Sequence, residues 1–453
     1  MNTAQPAASL DTRDAVGIIV GIVIGSGIFT VPSLVAKGTT SPGLVLGLWL
    51  VGGVLSVIGG LCYAELATSC PSTGGDYAFL QRAYGRNLAF LYGWARMAVI
   101  TTGSIAFLAF TFGDYMTKVA PLGAYSPTLY AVLCVVLLTL LNLAGIHQGK
   151  TAQNLFTSLE VLGVVAIIVV GLLVVAPAAP APAPAALPGP TPSAGLAMVF
   201  VLYAYGGWNE AAYVSAELKN LRSMAAAITV SLAVVTALYV LANLAYMRGL
   251  SLSGMAESNA LAADLLERAF GSSGRVVVSS MIALAALTSG NATMIVGARS
   301  NFALGRDFPV FGWLGRWDQD KSTPSTGLIA QCLVSLALVA LGTATRQGLQ
   351  TMIDYTAPVF WFFFLLVGIG IFVMRVREPS LPRPFVVPLY PITPLVFCAT
   401  CAYLLYSSLA YAKTGAIVGV GVVVLGLAPL LWSHRRWRPA PRPQAARRIT
   451  RKV

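Results

Sequence analysis

The sequence predicts an all-α integral membrane protein of about twelve transmembrane helices. Three observations predict it. Apolar residues make up 57% of the 453 and charged residues 10%, with a mean hydropathy of +0.77, a balance that no water-covered surface can absorb. Continuously apolar runs of roughly 20 residues, the length that crosses a bilayer, recur along the whole chain with short polar connections between them. The runs are also too long and too uniformly apolar to be the alternating strands of a membrane barrel.

In order, the runs fall near 14–36, 43–67, 88–117, 126–146, 155–176, 195–216, 223–247, 275–301, 326–343, 351–374, 392–411 and 414–433. The first exceeds the apolar stretch of a cleavable signal and has neither a basic leader nor a small-residue cleavage site, so it is read as retained. Lys and Arg favour the cytoplasmic side of short loops. With the N-terminus inside, twenty of the 29 basic residues face the cytoplasm and seven face outward, leaving Arg96 and Arg299 within spans. Both termini are therefore expected to be cytoplasmic. The net charge of +13 is spread over inner loops and a tail from His434 to Val453, which points to anionic lipid rather than nucleic acid. The six cysteines have no ligand-type spacing and no paired framework, so neither a metal nor disulfide stapling is expected.

Two spans carry glycine interruptions about halfway along. The first reads Val23-Ile24-Gly25-Ser26-Gly27-Ile28-Phe29, and the sixth reads Tyr203-Ala204-Tyr205-Gly206-Gly207-Trp208-Asn209. A break at membrane depth survives only where it is buried or lines a cavity. If the chain holds two five-helix repeats, each repeat opens with its broken helix, the arrangement that points to a transport site at the midplane. Freed amides at a half-helix N-terminus attract an anion and freed carbonyls attract a cation, so a zwitterion suits both. A carboxylate is expected at the Ser26, Gly27 and Ile28 amides, and an ammonium at carbonyls near Tyr203, Ala204 and Gly206. Close packing of small residues explains either break alone; both at matching positions favour a site. The expected binding set is Ile24, Gly25, Ser26, Gly27, Ile28, Tyr203, Ala204, Tyr205, Gly206, Trp208 and Asn209.

These stretches resemble the amino acid, polyamine and organocation superfamily, especially its L-type amino acid transporter branch and bacterial permease relatives. The resemblance spans nearly the whole chain and rests on Gly25-Ser-Gly-Ile-Phe and Tyr205-Gly-Gly-Trp-Asn209. Tyr63-Ala-Glu-Leu66, Gly74-Gly-Asp-Tyr77, Asn291 with Arg299 eight residues later, and Arg383-Pro-Phe-Val-Val-Pro388 support it. It implies a LeuT-type five-plus-five inverted repeat with broken helices 1 and 6, an aromatic at Tyr203 closing over substrate, and a secondary active permease of the cell membrane. The expected divisions are a cytoplasmic N-terminus at 1–13, the first repeat at 14–176, an outer Ala/Pro-rich loop at 177–194, and the second repeat at 195–374. Helices 11 and 12 with their preceding loop follow at 375–433, then the basic tail at 434–453. Two departures stand out. Eukaryotic relatives join a glycoprotein partner through a cysteine after helix 3, and Lys118 to Ser126 contains none, so no disulfide-linked heavy subunit is expected. Many sodium-independent relatives place a lysine in helix 5 where Glu160 falls here.

Carboxylates inside spans cost at least about 2.5–3.5 kcal/mol on insertion scales, which makes each one a functional candidate. Glu160 could exchange a proton as its surroundings change, as proton coupling requires, or it could be a solvated acid near the helix start. Glu210 could line the pathway or cap the second half-helix. Glu65, Arg96, Glu217 and Arg299 could pair to close an inner gate, although structural pairing suits each as well. No charge is clearly aimed at the pocket, so neutral amino acids are the expected substrates. The segment 258–270 reads as a short surface helix, serving either as a lid or as plain packing. A membrane sensor of the same build should carry a soluble signalling domain, a channel should show a filter or charge ring, and an enzyme should show a nucleophile with its base, metal ligands or a cofactor site. None of these is visible in the sequence. Coupling to protons, exchange and sodium symport remain open.

Overall fold

In the computed structural model the described residues are 11–71, 75–145, 150–178, 194–210, 220, 223–318, 323–410 and 414–436. Among them the chain is helical, and the only β feature is an isolated bridge between Asp318 and Thr323. The helices are α1 (Thr12–Val23), α2 (Gly27–Lys37), α3 (Pro42–Ser69), α4 (Gly75–Tyr84), α5 (Arg86–Ala95) and α6 (Thr101–Val119). Then come α7 (Ser126–Leu143), α8 (Lys150–Val169), α9 (Ala194–Ala204), α10 (Met224–Glu257), α11 (Leu261–Asp307) and α12 (Ser325–Ala344). The last four are α13 (Gly348–Arg377), α14 (Ile392–Ala410), α15 (Thr414–Leu425) and α16 (Leu427–Arg436). A π turn, Arg96–Ile100, joins α5 to α6, and the Tyr355 hydroxyl donates to the Ala98 carbonyl at 2.7 Å. A donor from outside the helix is what a displaced carbonyl at membrane depth requires.

By length and apolarity, eight described helices can cross a bilayer, and α1 with α2 makes a ninth when the bent pair counts as one span. Ser158–Val174, Ala194–Ala204 and Gly415–Leu431 are apolar but shorter. The exterior is unlike that of a soluble domain. Leu50, Leu133, Leu140, Leu173, Leu333 and Tyr406 are each more than half exposed, on many different helices. A water-soluble monomer rarely shows contiguous apolar surface beyond a few hundred Å², so this face belongs to lipid.

Two segments differ from the sequence expectation. The segment read as a surface helix begins at Leu261, and Leu261, Ala262, Ala263 and Leu265 are fully buried. Lys118 donates to Asp264 at 2.8 Å and Ser258 donates to it at 2.5 Å, which fixes the polar face while the apolar face turns inward. A sharp turn at Gly271, with φ of 63°, then leads into the next span. The last apolar run divides into α15 and α16 around Gly426, where the Trp94 ring lies close, and the Trp94 indole donates to the Val422 carbonyl at 2.8 Å. Residues 179–193 of the Ala/Pro-rich loop, His147, Glu217 and the tail from 437 onward lie outside the described residues.

Polar links across the bundle hold this arrangement. Asn142 donates to Asn291 at 2.6 Å with both residues buried. Glu65, only 2% exposed, accepts two bonds from Arg375 at 2.8 and 2.6 Å and a third from the Val387 backbone N–H at 2.7 Å. This ties α3 to the end of α13 and to the Arg383–Pro388 motif. Arg82 chelates Glu378 at 3.1 and 3.0 Å and holds that carboxyl below the usual carboxylate range. Because Glu65 is desolvated, Glu65→Gln should destabilise the protein by about 3 kcal/mol by leaving Arg375 without its counter-charge. Thermal unfolding in detergent checks this, and an unchanged melting temperature would refute the anchoring role.

Candidate functional site

The two interruptions lie against each other. α1 ends at Val23 and α2 begins at Gly27 with a 47° bend between them. In the gap the Gly25 N–H turns back to the Val23 carbonyl at 2.9 Å, and the next turn forms from Phe29 to Ser26 at 3.2 Å. Ser26, Gly27 and Ile28 thus head a half-helix, where the first amides lack intrahelical acceptors and the dipole is positive. The second break follows α9. The Gly206 N–H donates to the Tyr203 carbonyl at 3.0 Å, Gly207 takes a φ of 106°, and a short 3₁₀ turn runs from Trp208 to Glu210. A side chain at Gly207 would sit 3.0 Å from the Ile22 carbonyl oxygen, and one at Gly27 would sit 3.3 Å from the Ala204 Cα. Glycine is therefore favoured at both contacts and required by its positive φ at Gly207.

One side chain from outside both breaks joins them. The Tyr239 hydroxyl on α10 lies 2.8 Å from the Val23 carbonyl oxygen and 3.3 Å from that of Ala204. A phenol carries one proton, so the two helix ends share it.

A cavity of about 440 Å³ opens beside the breaks, with Gly25, Ser26, Gly27, Ala204, Gly206 and Asn209 in its wall. The Ser26 hydroxyl is buried and has no hydrogen-bond partner among the described residues. Tyr203 and Phe107 meet edge to face at 5.1 Å across the same cavity. The remaining members of the expected set are placed elsewhere. Ile24 and Ile28 are fully buried in the core. Tyr205 turns away and donates to the Trp49 carbonyl at 2.9 Å, while Trp208 packs on Tyr63, Phe364 and Phe397. Consecutive residues of a tight turn cannot all face one side, so these two rings anchor the turn that exposes its glycines.

Ionisable groups are arranged in two sets. Glu160 is 4% exposed and accepts a bond at 3.0 Å from Ser289, which lines the cavity. It sits one side chain behind the wall, so the reading as a solvated helix-start acid does not hold. At another part of the wall Arg96 pairs with Glu210 at 3.5 Å and donates to the Tyr92 hydroxyl at 3.2 Å, and Tyr92 in turn donates to Asp76 at 3.1 Å. All four line the cavity, which overturns the expectation that no charge faces it. Of the residues grouped as an inner gate, Glu217 lies outside the described residues and the other three are not brought together. Glu65 belongs to the anchor described above, Arg299 is exposed with no ion pair among the described residues, and of these three Arg96 alone reaches the cavity. Among the described residues no cluster of three His, Cys, Asp or Glu could hold a metal. Sequence reading missed Tyr239, Tyr92, Phe107 and Ser289, whose apolar or neutral surroundings give no periodic signal. Asp76 stands inside the Gly74–Tyr77 motif, which was its only mark.

A family model described as amino acid permease matches residues 10–427. The chain is 30% identical to the large neutral amino acids transporter small subunit 2 of Mus musculus over 439 residues, covering 94% of this chain and 81% of that one. It is 29% identical to the b(0,+)-type amino acid transporter 1 of Mus musculus, covering 82% and 77%. Identity to the Asc-type amino acid transporter 1 of Mus musculus is 30%, covering 94% and 81%. The chain belongs to the amino acid permease family within the amino acid, polyamine and organocation superfamily. Its relatives are named as transporters, not enzymes. The name small subunit conflicts with the expectation of no disulfide-linked heavy subunit. That expectation rested on a missing thiol after helix 3, and a missing thiol removes a covalent link without removing an interface.

Tyr239→Phe should keep the fold but leave the Val23 and Ala204 carbonyls without their shared donor, at a cost of about 1 kcal/mol. Thermal unfolding against the parent protein reads the loss, and an unaltered transition would mean that the bridge contributes nothing.

Proposed function

We propose that this multi-pass membrane protein is a secondary active permease that carries neutral amino acids across the cell membrane by alternating access. The single observation that supports it best is the contact of two half-helix ends of opposite polarity beside one cavity. In this reading the substrate carboxylate takes the amides of Ser26, Gly27 and Ile28 and the free Ser26 hydroxyl. The ammonium takes the Gly206 carbonyl and the second lone pairs of Tyr203 and Ala204, whose first lone pairs are already engaged. Tyr203 with Phe107 closes one end. The substrates are neutral because the cavity's charges stand partly paired with one another, Arg96 against Glu210, and the carboxylate of Glu160 lies behind Ser289.

The architecture that goes with it is a twelve-span, LeuT-type five-plus-five inverted repeat, 14–176 and 195–374, with both termini cytoplasmic. The three shorter apolar helices supply the spans beyond the nine that pass on length. Glu160 carries the coupled proton, since a buried carboxyl whose described partner is one serine hydroxyl can change its protonation when that contact opens.

Three measurements test this. Neutral amino acids should raise the melting temperature of the purified protein, since a ligand present at about 100 times its Kd stabilises by roughly 2.7 kcal/mol; stabilisation by a polyamine alone would overturn the substrate class. Proteoliposomes given a proton gradient, a sodium gradient or an internal amino acid load distinguish symport from exchange. Glu160→Gln should abolish the pH dependence of accumulation while sparing exchange, and an unchanged pH profile would remove Glu160 from the coupling step.

A further inference from the structure

The cavity beside the breaks stops at one level on four of the helices that wall it. Leu108 is the last residue of α6 to line it, although α6 runs on to Val119, about 16 Å further. On α2 only Gly27 lines it, and on α9 and α13 the lining begins at Tyr203 and Thr356. These limits meet in one layer. Gly27 lies against Ala204, the Tyr203 ring lies against Phe107, and Gly103 is so close to Thr356 that a Cβ there would clash with it.

Tyr203 is the member of this layer that reaches the other helices. Ser104 and Phe107 are three residues apart on α6 and so share a face, and both meet Tyr203. The rings of Tyr203 and Phe107 are 5.1 Å apart, and the Tyr203 hydroxyl hydrogen-bonds with Ser104 on α6 and Thr356 on α13. The Ser104 hydroxyl donates to the Ile100 carbonyl, the last of the π turn, at 2.9 Å, and the Thr356 hydroxyl donates to the Met352 carbonyl at 2.9 Å. A hydroxyl carries one proton, so Ser104 and Thr356 both present lone pairs, and two acceptors compete for the single proton of Tyr203. Tyr239, Tyr355, Tyr115 and Tyr205 donate instead to backbone carbonyls, which their own helices hold fixed.

We propose that Ser104 and Thr356 are positioning residues that latch Tyr203 across the outer end of the substrate cavity through one hydrogen bond shared between them. It rests on the permease reading above, in which the Val119 end of α6 faces outward. The Tyr203–Phe107 contact excludes water, and the hydroxyl bond sets how often that end opens. Either acceptor holds the proton by itself, so losing one leaves the latch closed. Losing both, or losing the phenolic proton, releases it.

The test reads opening from outside intact cells, as the rate at which a membrane-impermeant maleimide reaches the cavity-wall variant Ala292→Cys. Peptide mass spectrometry follows that position alone, so the native cysteines stay in place. Tyr203→Phe, which keeps the ring, should speed labelling about fivefold, the factor carried by one neutral hydrogen bond. Ser104→Ala and Thr356→Val should each change the rate less than about twofold, and the two together should match Tyr203→Phe. Adding Tyr203→Phe to that double variant should bring no further rise. Labelling from the cytoplasmic face, in inside-out vesicles, should keep the parent rate throughout. An unchanged rate in Tyr203→Phe, a rise that the double variant does not reproduce, or a full rise in either single variant would overturn the shared latch. Equal acceleration from both faces would overturn it too, because loosened packing does not choose a side. Leucine uptake by the parent protein in the same cells tests the permease reading separately, and its absence would overturn that reading whatever the labelling pattern.

Discussion

The rest of this molecule depends on how backbone groups are satisfied where two membrane helices stop halfway. Hydrocarbon offers no hydrogen bonds, so a carbonyl or amide freed there must find protein or substrate. The two breaks solve this for each other. Gly207 lies against the Ile22 carbonyl, Gly27 against Ala204, and one phenolic proton from Tyr239 serves the last carbonyls of both half-helices. What remains unsatisfied is a positive helix end and a serine hydroxyl facing a cavity.

The same device recurs across the bundle. Tyrosine hydroxyls donate to backbone carbonyls of distant segments at Ala98, Trp49, Phe29 and Leu366 as well. A phenol suits the task because its ring packs like any apolar side chain while its tip supplies one donor. At Ala98 the donor meets the π turn that also carries Arg96, so the irregular backbone and the charged network are set by one local distortion. Irregular turns of this type gather where function needs a side chain re-aimed.

Charge is divided by location in the same way. At Glu65 a carboxylate receives three donors and serves as an anchor, fixing a connection between helices. Around Arg96 the partners Glu210 and Tyr92, with Asp76 behind Tyr92, line the cavity instead of a connection between helices. Glu160 is a third case, buried and, among the described residues, bonded to the Ser289 hydroxyl behind the cavity wall.

The sequence by itself determined the solvent, the helical class and the positions of both breaks, because apolar run length and glycine interruptions are local properties of the chain. It also marked Glu160 and Glu210, since charge within an apolar run stands out. Only the tertiary structure decided which residues of each break face the cavity, turning Gly25, Ser26, Gly206 and Asn209 inward and Tyr205 and Trp208 away. It alone brought Asp76, Tyr92, Arg96 and Glu210 together and assigned Glu65 to an anchor rather than a gate. The physical reason is that a partner more than a hundred residues distant, such as Tyr239 for Val23 or Arg375 for Glu65, is chosen by helix packing, and no periodicity along the chain records that choice.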